Sequence, residues 1–185
     1  MASQVVTLKD ESGTTARVLV SLGFNCFDFT VATPTGPVSV LWSEEGFEHG
    51  DKRASGSGIP LLFPFPGRIA GTEFTWDEQT YQLTAGDGRG NAIHGFVHER
   101  PWRVTEQVGD RVVGQFQASV DDAALLERWP SDFRATASYQ VTRNALQAEY
   151  LLENCGAAAL PCGFGSHPYF RLPLGGASAG PCQVR

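Results

Sequence analysis

The chain predicts an all-β protein folded as an antiparallel sandwich or barrel. Three observations carry this. Apolar residues alternate with polar ones over short runs, which is the signature of half-buried strands. Clusters of Gly, Pro, Asn and Asp separate those runs. Only one segment departs from the pattern with helical spacing. Many short strands with turn signals between them are the pattern of antiparallel sheets packed face to face.

Taken in order, Ala16 to Leu22 and Cys26 to Thr33 read as strands around Gly23-Phe24-Asn25. Thr33-Pro34-Thr35-Gly36-Pro37 is a turn, and Val38 to Trp42 a further short strand. Glu44 to Gly58 is polar and holds four glycines, so it reads as a loop. Glu73 to Leu83 reads as a hairpin turning at Asp77-Glu78-Gln79. Trp102 to Val108 and Arg111 to Ser119 pair around Gly109-Asp110. From Phe133 to Thr142 the alternation is clean: Ala135, Ala137, Tyr139 and Val141 share one face. Leu146, Ala148, Tyr150 and Leu152 answer them across an Arg143-Asn144 turn. The exception is Asp121 to Trp129. There, Asp121-Asp122 suit the start of a short helix carrying Leu125, Leu126 and Trp129, stopped by Pro130.

Composition bounds the function. The chain has 185 residues, enough for one domain, with 42% hydrophobic and 18% charged residues. A formal charge of -6 with scattered basic residues argues against nucleic acid or an anionic membrane as a partner. No run is long enough for a membrane span, and the N-terminus has no apolar core of a signal peptide. Cys26, Cys155, Cys162 and Cys182 lack metal or redox spacing. They read as reduced core fillers of a cytoplasmic protein that binds no metal.

Three polar-aromatic islands interrupt the strands. Gly58 to Ile69 carries Pro60, Pro64 and Pro66 and ends on Arg68, whose guanidinium fork suits hydroxyl or carboxylate oxygens. A plain surface arginine is the alternative. In Gly88 to Phe96, Asn91 and His94 both donate and accept, which suits a sugar; turn residues bonding their own backbone are the alternative. In Gly163-Phe164-Gly165-Ser166-His167-Pro168-Tyr169-Phe170, an imidazole sits among aromatic faces. His167 is either a proton donor in a small-molecule site or a core histidine. Phe63, Phe65, Tyr169 and Phe170 are candidate walls for a pocket. Neither a nucleophile elbow nor a dinucleotide loop is present.

These islands, together with Trp129-Pro130-Ser131-Asp132-Phe133, resemble in order and spacing the aldose 1-epimerase (galactose mutarotase) family, from about Val18 to Leu174. The resemblance implies a galactose mutarotase-like supersandwich, a large antiparallel β-sandwich with an open sugar cleft. It also implies interconversion of the α and β anomers of a free hexose, without a cofactor. His167 would be the general acid toward the ring oxygen. His94 would assist there or bind a hydroxyl, Arg68 and Asn91 would contact the sugar, and Tyr169 would border the pocket. Gly67 stands where family members often have Asn.

The resemblance also implies a glutamate base and a sugar-binding aspartate beyond His167, yet no acidic residue follows Glu153. The expectation is therefore the N-terminal part of a mutarotase-like protein, weakly active or inactive as these 185 residues. Two rival readings are a hexose-6-phosphate 1-epimerase, which would draw on Arg53, Arg89 or Arg171, and a non-catalytic carbohydrate-binding module.

Overall fold

Alternation decides the architecture, because each strand can bury only one of its faces. In the computed structural model, which describes residues 4–175 and Ser178, a first antiparallel meander contains β1 (Val5–Lys9), β2 (Thr15–Leu19), β3 (Asn25–Thr33) and β4 (Gly36–Ser39) in that order. Between the meanders lie the short strands β5 (Leu61–Leu62), β6 (Arg68–Ile69), β7 (Glu73–Trp76), β8 (Gln79–Gln82) and β9 (Ala92–Ile93). The second meander is β10 (Arg103–Val108), β11 (Arg111–Gln117), β12 (Phe133–Thr142) and β13 (Ala145–Asn154). A four-residue helix α1 (Ala118–Asp121) follows β11, and β14 (Gly165–Ser166) lies near the end.

One buried apolar cluster draws on both meanders: Val6, Leu8, Ala16 and Val18 from the first, Val112, Phe116, Ala135 and Tyr139 from the second. Phe24 joins them, stacked on Trp102 at 5.4 Å and on Tyr139 at 5.7 Å. Such ring pairs add about 0.5–1.5 kcal/mol each beyond the area they bury. Gly114 makes room for Phe24, since a Cβ there would come within 2.3 Å of its ring. The all-β antiparallel reading therefore holds. The β12–β13 register matches the face assignment residue by residue, with Val141 opposite Leu146, Tyr139 opposite Ala148, Ala137 opposite Tyr150 and Ala135 opposite Leu152.

Several boundaries differ from the sequence reading. Val5–Lys9 is a strand, although five residues give little periodicity to read. The strand read as Ala16 to Leu22 is Thr15–Leu19, and the one read as Val38 to Trp42 is Gly36–Ser39, because Pro37 pairs at an edge opposite Ala32. The helix does not start at Asp121. It occupies Ala118–Asp121 and passes into a 3-10 turn over Ala123–Glu127. Asp132 anchors its start from a distance, accepting from the Ser119 backbone N–H (2.9 Å) and Ser119 Oγ (2.7 Å). The Trp129-to-Phe133 segment is thus structural, with Trp129 and Phe133 in the core. Cys26 is a core filler, whereas Cys155 and Cys162 are exposed; Cys182 lies outside the described residues.

The crossing that positions the site is made by backbone. The Phe63 carbonyl accepts the Phe96 N–H at 2.8 Å, and Phe63 bridges Gly95 in parallel. A Cβ on Gly95 would lie 2.2 Å from that carbonyl oxygen, and Gly95 has φ 73. Only glycine fits both constraints. Gly95→Ala is expected to destabilise the fold by at least about 2 kcal/mol. Gly67→Ala, where a Cβ meets nothing within 4 Å, should change stability by less than about 0.5 kcal/mol. Urea unfolding of the two variants checks this, and equal effects would contradict the crossing.

Candidate functional site

The proline-rich segment from Pro60 to Ile69, which carries β5 and β6, is a rail between the other two islands. On one side, β5 pairs antiparallel with β14, placing Leu62 opposite Gly165 and Leu61 opposite Ser166. The His167 N–H then donates to Pro60 O (3.2 Å) and the Gly163 N–H to Pro64 O (2.7 Å). On the other side, β6 pairs with β9, setting Arg68 opposite Ile93, while the His94 N–H donates to Gly67 O (3.0 Å). Prolines supply carbonyls without competing N–H groups, so this rail accepts bonds from both flanks.

His167 is exposed, with its ring centroid 4.9 Å from that of Tyr169. Tyr169 is held by three bonds: its N–H donates to Gly58 O (2.9 Å), its carbonyl accepts the Trp42 N–H (2.9 Å), and its hydroxyl donates to Ser55 O (3.0 Å). Buried Asn25 fixes the loop below, donating to Ser57 O (2.9 Å) and accepting the Ile59 N–H (2.9 Å).

His94 has φ 69, a left-handed conformation uncommon for a residue with a side chain. Such strain is often found at functional sites. Its Nδ1 lies 2.9 Å from Pro66 O. A carbonyl only accepts, so Nδ1 carries the proton and Nε2 is an acceptor while the ring is neutral. Partial burial is the largest influence on its pKa and lowers it; the bond to Pro66 opposes this, and His98, His167 and Arg53 lower it further by charge. The charged form of His94 is therefore disfavoured.

Arg68 is more than half exposed and donates from Nε to Asp87 Oδ2 at 2.9 Å. Asp87 is almost wholly buried and also accepts the Arg89 N–H (2.7 Å), the Asn91 N–H (3.0 Å) and Asn91 Nδ2 (2.8 Å). The Asn91 amide oxygen accepts the Gly71 N–H (3.0 Å). The Asn91 side chain is thus engaged inside its own loop. Asp87 and Asn91 together aim Arg68, whose terminal nitrogens have no partner among the described residues.

The structure brings His94, His167, Tyr169 and Arg68 around one rail, and adds Arg53, Asp87 and His98. Sequence reading left Asp87 without a role, although an Asp followed by Gly in a loop is an Asx-turn signal, here met by the Arg89 N–H two residues on. Of the candidate walls, Phe63 is fully buried, and Phe65 packs on Phe96 and Trp129. Phe63 belongs to the core and Phe65 is partly buried against it; Phe170 is 57% exposed and Tyr169 is half-buried. A cavity of about 220 Å³ lies nearby, lined by Phe65, Ile93, Glu99 and Arg128 among others, but by neither His94 nor His167. Among the described residues, no cluster of three or more His, Cys, Asp or Glu could hold a metal, and no helix is long and apolar enough to cross a membrane. No described carboxylate is in ion-pair range of His94 or His167.

Comparison with known proteins gives concordant findings. The aldose 1-epimerase family profile matches residues 4–179. The chain is 30% identical over 122 residues to the uncharacterized protein YphB of Escherichia coli K12, covering 63% of this chain and 37% of YphB. The crystal structure of Slr1438 from Synechocystis matches with TM-score 0.73 and 27% identity, covering 90% of this chain and 54% of that one. A GalM/aldose epimerase homologue from C. elegans has the same fold at TM-score 0.72 and 22% identity, covering 93% and 52%. The chain thus spans about half the length of these solved structures.

Bonds donated by Asn91, from its side-chain amide first and its backbone N–H second, hold the Asp87 carboxyl well below the usual carboxylate range. A depressed pKa contributes stability above the ordinary carboxylate range and loses it as pH falls through the folded value. Asp87→Asn should therefore destabilise most at neutral pH. The gap from wild type should narrow as pH drops below about 4. Urea unfolding at pH 7 and pH 3 measures both gaps, and equal gaps would contradict the role assigned to the Asp87 charge.

Proposed function

The chain belongs to the aldose 1-epimerase family, and on that premise we propose that this face binds a free hexose, galactose or glucose, and serves interconversion of its anomers. One observation carries the reading: the rail fixes the backbone of His167 on one flank and of His94 on the other, so both imidazoles stand along the same short segment.

Anomer exchange needs a proton delivered to the ring oxygen and one removed from the anomeric hydroxyl. The C1–O5 bond then breaks, the open aldehyde turns about C1–C2, and closure on the other face reverses both transfers. His167, exposed at the end of β14, is the proposed acid toward the ring oxygen. Neutral His94 offers Nε2 as an acceptor to a sugar hydroxyl, a role that suits its lowered pKa better than proton donation. Arg68 donates to hydroxyls from its terminal nitrogens, and the Tyr169 ring borders the sugar. Asn91 supports the site through Asp87 and Arg68. No step is assigned to a metal or organic cofactor.

The base is the part that no described residue supplies. Asp87 is saturated with bonds, and Glu99 is paired with His98. A positioned acid or base contributes about 10²–10⁴-fold. Two alternatives draw on specific observations. The lack of a described carboxylate beside His167 favours a sugar-binding module, which would bind galactose without changing its anomerisation rate. Exposed Arg53, which has no described carboxylate in ion-pair range and donates from Nε to Ser55 Oγ (3.2 Å), favours a hexose 6-phosphate. Comparing glucose with its 6-phosphate separates that reading.

Polarimetry of freshly dissolved α-D-glucose tests the proposal. The expected result for the 185-residue chain is mutarotation at or barely above the buffer rate. Mutarotation far above buffer, abolished by His167→Ala, would show that the base lies within this chain and overturn the division of roles between His167 and a base outside the described residues.

A further inference from the structure

His98 is only 4% exposed, and its Nδ1 has no hydrogen-bond partner. Buried polar atoms are normally matched, so an unmatched imidazole nitrogen requires a reason. The backbone around it is clamped from two sides. Val97–Glu99 is a 3-10 turn whose Val97 carbonyl accepts Trp102 Nε1 at 3.0 Å. A Cβ on Gly23 would lie 2.3 Å from the His98 carbonyl oxygen, so that chain approaches as closely as glycine permits. The ring itself is tied by Nε2, 3.4 Å from Glu99 Oε1. A carboxylate only accepts, so neutral His98 carries its proton on Nε2. The His98 ring stands at 88° to the His94 ring, with centroids 6.0 Å apart.

We infer that His98 is a positioning residue for His94: its clamped ring, set perpendicular to the His94 imidazole, keeps His94 Nδ1 on the Pro66 carbonyl and leaves Nε2 free for the ligand. His94 has need of such a support. Its backbone is left-handed, and Gly95 beside it contributes no side chain to hold the ring. The charged and titratable groups that act on His94 come from several elements. They are Arg53 before the 54–56 turn, His98 on the 97–99 turn, and His167 after β14. Glu99 faces His98 through the Nε2 contact. A proton on His98 opposes one on His94, so the same contact that orients the ring also favours its neutral form.

The inference rests on reading His94 as a sugar ligand, but the test reads the ring without sugar, so the two can fail separately. Long-range ¹H–¹⁵N correlation spectra of the histidine-labelled 185-residue chain, taken above the histidine titration range, report the tautomer of each ring. In the wild type, His94 is expected in the Nδ1–H form alone. His98→Ala should lose that single form and give a mixture, whereas His98→Phe, which restores a flat ring, should recover it. A mixed or Nε2–H His94 in the wild type would overturn the inference. So would an unchanged His94 in a folded His98→Ala, or a mixture in His98→Phe. If His98→Ala does not fold, the wild type and His98→Phe decide alone.

Discussion

The Phe63 carbonyl, accepting the Phe96 N–H while Gly95 passes beneath Cβ distance, is the constraint on which the candidate site depends. It locks the His94 loop across the proline-rich rail. Just before it on that rail, β5 pairs with β14 and fixes the His167 segment. Neither histidine is placed by a regular sheet, since the strands involved are short pairs. Both are placed by carbonyls of a rail stiffened by Pro60, Pro64 and Pro66, beneath which the Phe63 and Phe133 rings pack edge to face at 5.2 Å. The core and the site therefore share one backbone, and a site built on such a support loses little order when a ligand binds.

Polar groups divide the work of the loops in a consistent way. Asp87 gathers donors from Arg68, Arg89 and Asn91 and turns Arg68 toward solvent, while Asn91 closes the loop behind it. His94 is tethered by Nδ1, and its charged form is disfavoured by burial and by the positive or potentially positive groups of His98, His167 and Arg53. His167 remains exposed and unpaired with any described carboxylate. On the proposed reading this arrangement supplies donors, an acceptor and an acid. It also explains why an epimerase reading and a sugar-binding reading share every contact and differ only in the base.

Much of this was legible in the chain. The alternation in Phe133 to Thr142 has one meaning, since burying Tyr139 and Val141 requires Ala135 and Ala137 to follow them inward, and the observed register agrees. The islands were legible because Gly and Pro cannot be explained as strand interiors. What was not legible depended on contacts distant in sequence. Asp132 anchors α1 from beyond the 3-10 turn, so the chain alone points to a helix starting at Asp121. Phe63 looks like a pocket wall until the Phe133 ring, distant in sequence, claims it for the core, whereas Phe65 packs on Phe96 and Trp129 and also lines a cavity. The bond from the Asn91 amide to Asp87, which ties Asn91 into its own loop, is likewise not legible from spacing. The nearness of the His94 and His98 rings is not legible either, because the chain there is a left-handed residue followed by a 3-10 turn, with no regular spacing to read.

If His94 and His167 belong to one sugar site assembled by the proline-rich rail, a single ligand must be felt by both. Histidine-labelled NMR titration of the 185-residue chain with galactose asks this without needing turnover. The His94 and His167 ring signals are expected to shift together along one saturation curve, while His49 on its separate loop stays fixed. Shifts of only one of the pair, or two unrelated curves, would contradict a shared site.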